Sequence, residues 1–142
     1  MGGEGASTPL DLAAAQRICD AAVRIAERGG HHISVAVADP AGELRAFVRM
    51  DGAAALSAET VRRKCRTVAL TGRASGEFGR QLAVDLAREP ELFHAMLGLG
   101  MFPVGGGIPV KVDGQVVGIV AVSGASSDDD QAIAAEAAKE EV

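Results

Sequence analysis

Two residues constrain this chain more than any others: Asp113-Gly114, which divides the β-forming run between Ile108 and Val122. An Asp-Gly pair between two such runs favours the type I′ turn, whose backbone twist matches that of antiparallel strands, so the segment is expected to fold as a hairpin. A second hairpin is expected upstream. Residues 33–39 alternate larger apolar side chains (Ile33, Val35, Val37) with small ones (Ser34, Ala36, Ala38), which suits a strand covered on both faces. Pro40-Ala41-Gly42 makes the turn, and the return strand 44–50 sets Leu44, Ala46, Val48 and Met50 opposite Arg45, Phe47 and Arg49.

Helices fill the rest. Thr8, Pro9 and Asp11 read as an N-cap, a first-turn proline and a capping-box acid, followed by Leu10, Ala14, Ile18, Ala22 and Ile25 at helical spacing and by Gly29-Gly30 as a stop. Ser57 is expected to cap a second helix stapled by Leu56 against Val61 and ended by Gly72. Ser75 is expected to cap a third helix to about Arg88, with a short turn from Pro90 through Leu97. Ser127, with Asp130 three residues on, is expected to cap the last helix, where the acids Asp128, Asp129 and Asp130 complement the helix dipole. The order is α-β-β-α-α-β-β-α, a single α+β domain over residues 9–142 behind a flexible segment 1–8.

Charge and composition exclude several functions. Fourteen Lys and Arg against nineteen Asp and Glu leave a net charge of -5, which disfavours a nucleic-acid partner held by counterion release. No apolar run approaches the roughly 18 residues that span a bilayer, so no membrane role is expected. The opening residues MGGEGAS lack a basic n-region and an apolar core, and Ala6 stands where myristoylation needs Ser or Thr; a cytoplasmic protein is expected. Cys19 and Cys65 are too few for a disulfide framework and read as inert buried thiols. The chain has no Ser/His/Asp order, CxxC pair or HExxH motif, and Gly105 to Gly107 lack the Lys-Ser/Thr of a phosphate loop.

Three separated segments, ISVAVADPAGELRAFVRMDGA (33–53), KCRT (64–67) and GGGIPVKVDGQVVGIVAVSGASSDDD (105–130), resemble the GlcG/HbpS family of small haem-binding-like proteins, which includes the C-terminal domain of PduO-type corrinoid proteins. The resemblance runs from about Leu10 to about Ala138. It implies a profilin-like α/β/α arrangement around a central antiparallel sheet, assembly into homo-oligomers, and association with haem or related tetrapyrroles, including redox sensing and haem handling. Arg49, Met50, Asp51 and Gly52 fall on the family's hairpin-end motif, Lys64 and Thr67 on its helix motif, and Gly106, Gly107 and Pro109 on its Gly-Gly-x-Pro segment. Gly105 and Cys65 depart from it.

Candidate chemistry follows from that resemblance. Haem iron takes an axial imidazole, thiolate or similar ligand, which singles out His94, in PELFHAMLGLGMF, and His32, which adjoins His31 at the entrance to a strand. Lys64 or Arg49 would meet the propionates, and the ring would lie near Gly105, Gly106, Gly107 and Pro109, with Thr67 close by. The alternative is a cofactor-independent enzyme that moves a proton on a small carboxylate or biosynthetic intermediate: Lys64 or Arg49 binds the carboxylate, His94 or Asp51 acts as acid or base, and glycine-segment N–H groups steady an oxyanion. A non-catalytic assembly subunit is the third possibility. Against each stands a plainer role: an exposed histidine on a loop or small helix, a solvated charged face for Arg62, Arg63, Lys64 and Arg66, and a structural partner of an arginine for Asp51.

Overall fold

The computed structural model describes residues 8–141; the expectations for the first seven residues lie outside them. In chain order the elements are α1 (Leu12–Arg28), β1 (Ser34–Ala38), β2 (Leu44–Arg49), α2 (Ala55–Thr71), α3 (Ser75–Leu86), α4 (Leu92–Gly98), β3 (Gly107–Val112), β4 (Gln115–Ser123) and α5 (Ser127–Ala138). This is the expected succession, with the short turn beyond Pro90 formed as α4. The four strands make one sheet in the order β2-β1-β4-β3, antiparallel throughout. The two hairpins therefore meet through their inner strands, with Ser34 opposite Ser123 and Ala38 opposite Ile119. Asp113 and Gly114 both have positive φ, 52° and 79°, as a type I′ turn requires.

The alternation in β1 decides which helix covers which face. Val35 and Val37, with Val120 and Val122 of β4, pack under Ile18 and Ala22 of α1 and Ile133 and Ala134 of α5. Ala36 and Ala38, with Ile119 and Ala121, meet Val61, Cys65 and Val68 of α2. Small strand residues on that second face let α2 approach the sheet closely. The result is the anticipated three-layer α/β/α domain with a central antiparallel sheet.

Four helix caps differ from expectation, and in three of them a contact distant in sequence decides. The Leu10 N–H donates to the Val117 carbonyl, beyond the end of β1, and holds the chain extended. Asp11 therefore caps α1, accepting from the Ala14 N–H at 2.8 Å, in place of Thr8. Ala54 and Ala74 begin α2 and α3 without side-chain caps, because Ser57 and Ser75 are engaged inside the fold. The Ser57 hydroxyl donates to the Ala54 carbonyl and pairs with Ser34, while the Ser75 hydroxyl donates to the Val104 carbonyl and accepts from the Gly107 N–H. Leu56 is 71% exposed, so no staple forms against Val61. Ser126, not Ser127, caps α5, accepting from the Asp129 N–H.

Candidate functional site

Two clusters of the singled-out residues lie on either side of the junction between the start of β1 and the end of β4. The first is a groove of about 560 Å³ between the end of α1 and the end of β2, lined by Val23, Glu27, His31, His32, Val48, Arg49, Met50 and Asp51. His32 Nδ1 lies 3.1 Å from the Asp51 carbonyl oxygen. A carbonyl only accepts, so in a neutral imidazole the tautomer that satisfies this contact carries its proton on Nδ1 and its lone pair on Nε2. Gly52 makes this possible: its φ is +85°, and a Cβ there would press on His32 Nδ1 at 3.2 Å. Met50 belongs to the groove, but its Sδ accepts the Ile33 N–H at 3.4 Å, which ties it to the strand. His31 Nε2 stands 3.8 Å from Asp129 on α5.

The second cluster is buried. Lys64 on α2 reaches to the end of β4, where its Nζ donates to the Val122 carbonyl at 2.8 Å and to Asp130 Oδ2 at 3.2 Å. Asp130 Oδ1 accepts the Ala125 N–H at 2.9 Å. Burial lowers the Lys64 pKa, opposed by the Asp130 charge, and burial raises the Asp130 pKa, opposed by Lys64 and by the N–H groups of Ala125 and Gly124. Around the pair run two hydroxyl couples, Ser34 with Ser57 at 2.8 Å and Thr60 with Ser123 at 2.5 Å. Gly106 closes the cluster, since a Cβ there would collide with the Val122 carbonyl and lie 2.6 Å from Lys64 Nζ.

The remaining candidates are spread between and beyond these clusters. Arg49 and Asp51 share the groove with His32. Thr67 is structural in its contacts: its hydroxyl donates to the Arg63 carbonyl and accepts the Phe102 N–H, both at 2.8 Å, tying the segment before β3 to α2. The glycine segment is engaged by side chains, with the Gly106 N–H on Gln131 and the Gly107 N–H on Ser75, and Gly105 is pressed between Gly76 and Ser127. Pro109 lies in β3 opposite Ile119. His94 is exposed on α4, edge-on to Phe93 with ring centroids 5.8 Å apart, and lines neither cluster. Burial pushes both thiols, Cys19 and Cys65, up to about 12, so neither is a nucleophile at neutral pH.

Asp130 is the residue of the buried cluster that was expected only as an acid complementing a helix dipole. Alone of the three acids beginning α5, it shares the buried stripe of Ile133, Ala134 and Ala137, and it faces Lys64 rather than solvent. That spacing was the available signal.

The chain thus combines an α/β/α layer order around an antiparallel sheet with a histidine-lined groove and a buried lysine under a glycine segment. The chain belongs to the family described as haem degrading protein HbpS-like, which matches residues 10–139. It is 37% identical over 98 residues to protein GlcG of Escherichia coli strain K12, covering 69% of each chain. A crystal structure of a double mutant of HbpS from Streptomyces reticuli superposes with a TM-score of 0.81 at 34% identity, over 96% of this chain and 89% of that one. The PduOC:haem complex shares the fold, with a TM-score of 0.81 at 24% identity over 93% of this chain and 94% of that one. Among the described residues no helix is long and apolar enough to cross a membrane.

Proposed function

We propose that this protein binds haem, or a related metal tetrapyrrole, in the groove between α1 and β2, with His32 Nε2 as the iron ligand. The observation that carries the reading is the contact between His32 Nδ1 and the Asp51 carbonyl, which orients the ring and favours the neutral tautomer with its lone pair on Nε2, the usual arrangement behind a metal-bound histidine. The donor set fits. Among the described residues no three His, Cys, Asp or Glu side chains come together as a bare-ion site, whereas a tetrapyrrole brings four nitrogens of its own and asks the protein for an axial ligand only.

Val23 and Val48 supply apolar contact for a flat ring, and Arg49 supplies a guanidinium for a propionate. Met50 is held by the Ile33 N–H, so the protein offers imidazole rather than thioether. When bound, the iron would contribute redox and small-ligand chemistry. The chain's own residues bind and orient it: Asp51 fixes the His32 tautomer, Gly52 leaves that ring its space, and Arg49 sets the ring's rotation. The family description and the haem named for the PduOC structure support haem as the ligand class, while the choice of groove and of His32 rests on the geometry alone.

A visible titration with hemin tests it. The expected result is a saturable, sharpened Soret band at one haem per chain, abolished in His32→Ala and retained in His94→Ala. A broad spectrum like that of free hemin, or full binding by His32→Ala, overturns the assignment.

A further inference from the structure

Buried polarity in this domain is gathered in one place. Eight polar or charged side chains are buried among the described residues, and five of them, Ser57, Thr60, Lys64, Ser123 and Asp130, line a single cavity of about 330 Å³. Leu56, Phe102 and Val104 supply its apolar wall, and it shares no residue with the groove of His32. Burying polar groups costs free energy that packing alone does not recover, and polar groups that converge on a partly apolar cavity are the usual form of a small-molecule site. The hydrogen bonds already made decide what the cavity still offers. The Lys64 ammonium has three hydrogens, of which the Val122 carbonyl and Asp130 Oδ2 take two. A Cβ on Gly106 would lie 2.6 Å from Nζ, so backbone closes that side and the cavity is left for the third. The Ser57 hydrogen is spent on the Ala54 carbonyl. Whichever way the Thr60–Ser123 bond runs, Ser123 Oγ keeps a lone pair.

We propose that this cavity binds a small neutral carboxamide, whose carbonyl oxygen accepts the third Lys64 N–H, whose NH2 donates to Ser123 Oγ, and whose short alkyl chain lies on Leu56, Phe102 and Val104. Charge selects the neutral ligand. The charged side chains of the lining are Lys64 and Asp130, which face each other at 3.2 Å and cancel. A carboxylate of the same shape has no N–H for Ser123 and sets a second negative charge beside Asp130, while an alkylammonium has no acceptor for Lys64 and sets a second positive charge beside it. Either ion gives up its hydration without gaining a free counter-charge. The amide keeps the ion pair intact and fills one donor and one acceptor at once.

The test titrates the nitrogen-15-labelled full chain at neutral pH with butanamide, butanoate and butylammonium, and follows the backbone amide shifts. Butanamide has about six non-hydrogen atoms, so a dissociation constant on the order of millimolar is expected. Its saturable shifts are expected around Ala54–Thr60, Phe102–Val104 and Val122–Ser127, with both ions at least about fivefold weaker. Ser123→Ala leaves the Lys64–Asp130 pair in place and removes the acceptor, so it is expected to weaken butanamide about threefold to tenfold. The proposal is overturned by shifts that do not saturate or that map elsewhere, by either ion binding within that fivefold margin, or by a Ser123→Ala chain that binds butanamide as well as its parent. No haem enters the assay, so its outcome is independent of the His32 groove.

Discussion

Replacing Lys64 by Met keeps the apolar stem and removes the charge, which isolates what the ammonium does for its partner. Asp130 then remains buried, still accepting from the Ala125 N–H but without the cation that opposes its desolvation. Breaking a buried pair from one side costs about 3–5 kcal/mol, because the orphaned charge is worse than either the pair or an apolar replacement of both. With both side chains this enclosed, solvent screening gives no relief. A natural domain holds only about 5–15 kcal/mol in total, so the variant loses a large share of its stability and melts roughly 10–20 °C lower. The pH dependence has a definite sign. A carboxyl whose folded-state pKa lies above its unfolded value binds more protons when folded over the interval between them, so stability falls as pH rises through that interval. Lys64→Met raises the Asp130 pKa further, and its deficit is therefore smaller near pH 5 than near pH 7. Adding Asp130→Asn removes the orphaned charge and is expected to restore about half the loss or more. Urea unfolding of the wild type, both single variants and the double variant reads all four corners of the cycle. A deficit below about 1 kcal/mol at neutral pH, or a double variant no more stable than Lys64→Met, refutes the reasoning.

Three further outcomes follow from the geometry. Gly52→Ala is expected to weaken hemin binding about 10–100-fold, the usual effect of disturbing the partner behind a metal ligand, whereas Gly114→Ala, also at positive φ but in the open hairpin turn, leaves the titration unchanged. Gly106→Ala forces a Cβ into the Val122 carbonyl and Lys64 Nζ, and is expected to lower unfolding free energy by more than about 2 kcal/mol in urea titrations. Cys19 and Cys65 are expected to resist a disulfide-exchange reagent at mildly alkaline pH in the folded chain, then react fully in denaturant, because burial holds both thiols protonated near 12.

The fold was legible where local chemistry and periodicity agreed. Asp113-Gly114, the valine and alanine alternation of β1 and the glycine stops predicted the hairpins and the helices between them, and the observed sheet pairs those hairpins as two antiparallel units. Caps were less legible, because a serine near a helix start has two uses that sequence does not separate. Ser57 and Ser75 could serve their own helices or reach across the fold; the Ser34 hydroxyl and the Val104 carbonyl decided in favour of the second. Those partners lie 23 and 29 residues away in the chain, beyond what a capping pattern can register.

The candidate site illustrates the same separation between local and distant information. Lys64 lies between Val61, Cys65 and Val68 on a helix face turned to the sheet, and Asp130 begins the apolar stripe of α5; each alone violates the rule that charges stay wet. Read singly, each has a bland explanation, a flanking side chain that snorkels to solvent or an acid on a helix dipole. Read together they account for each other, since a buried cation on one apolar stripe requires a buried anion on another. His32 differs because its useful property is not burial but tautomer. That property comes from a backbone carbonyl 19 residues away, at the end of the neighbouring strand, and it exists only once β1 and β2 are in register. A histidine at a strand entrance is therefore a weak signal by itself. It becomes a strong one when the hairpin return ends in a glycine that can lay the chain against its ring, as Asp51-Gly52 does here.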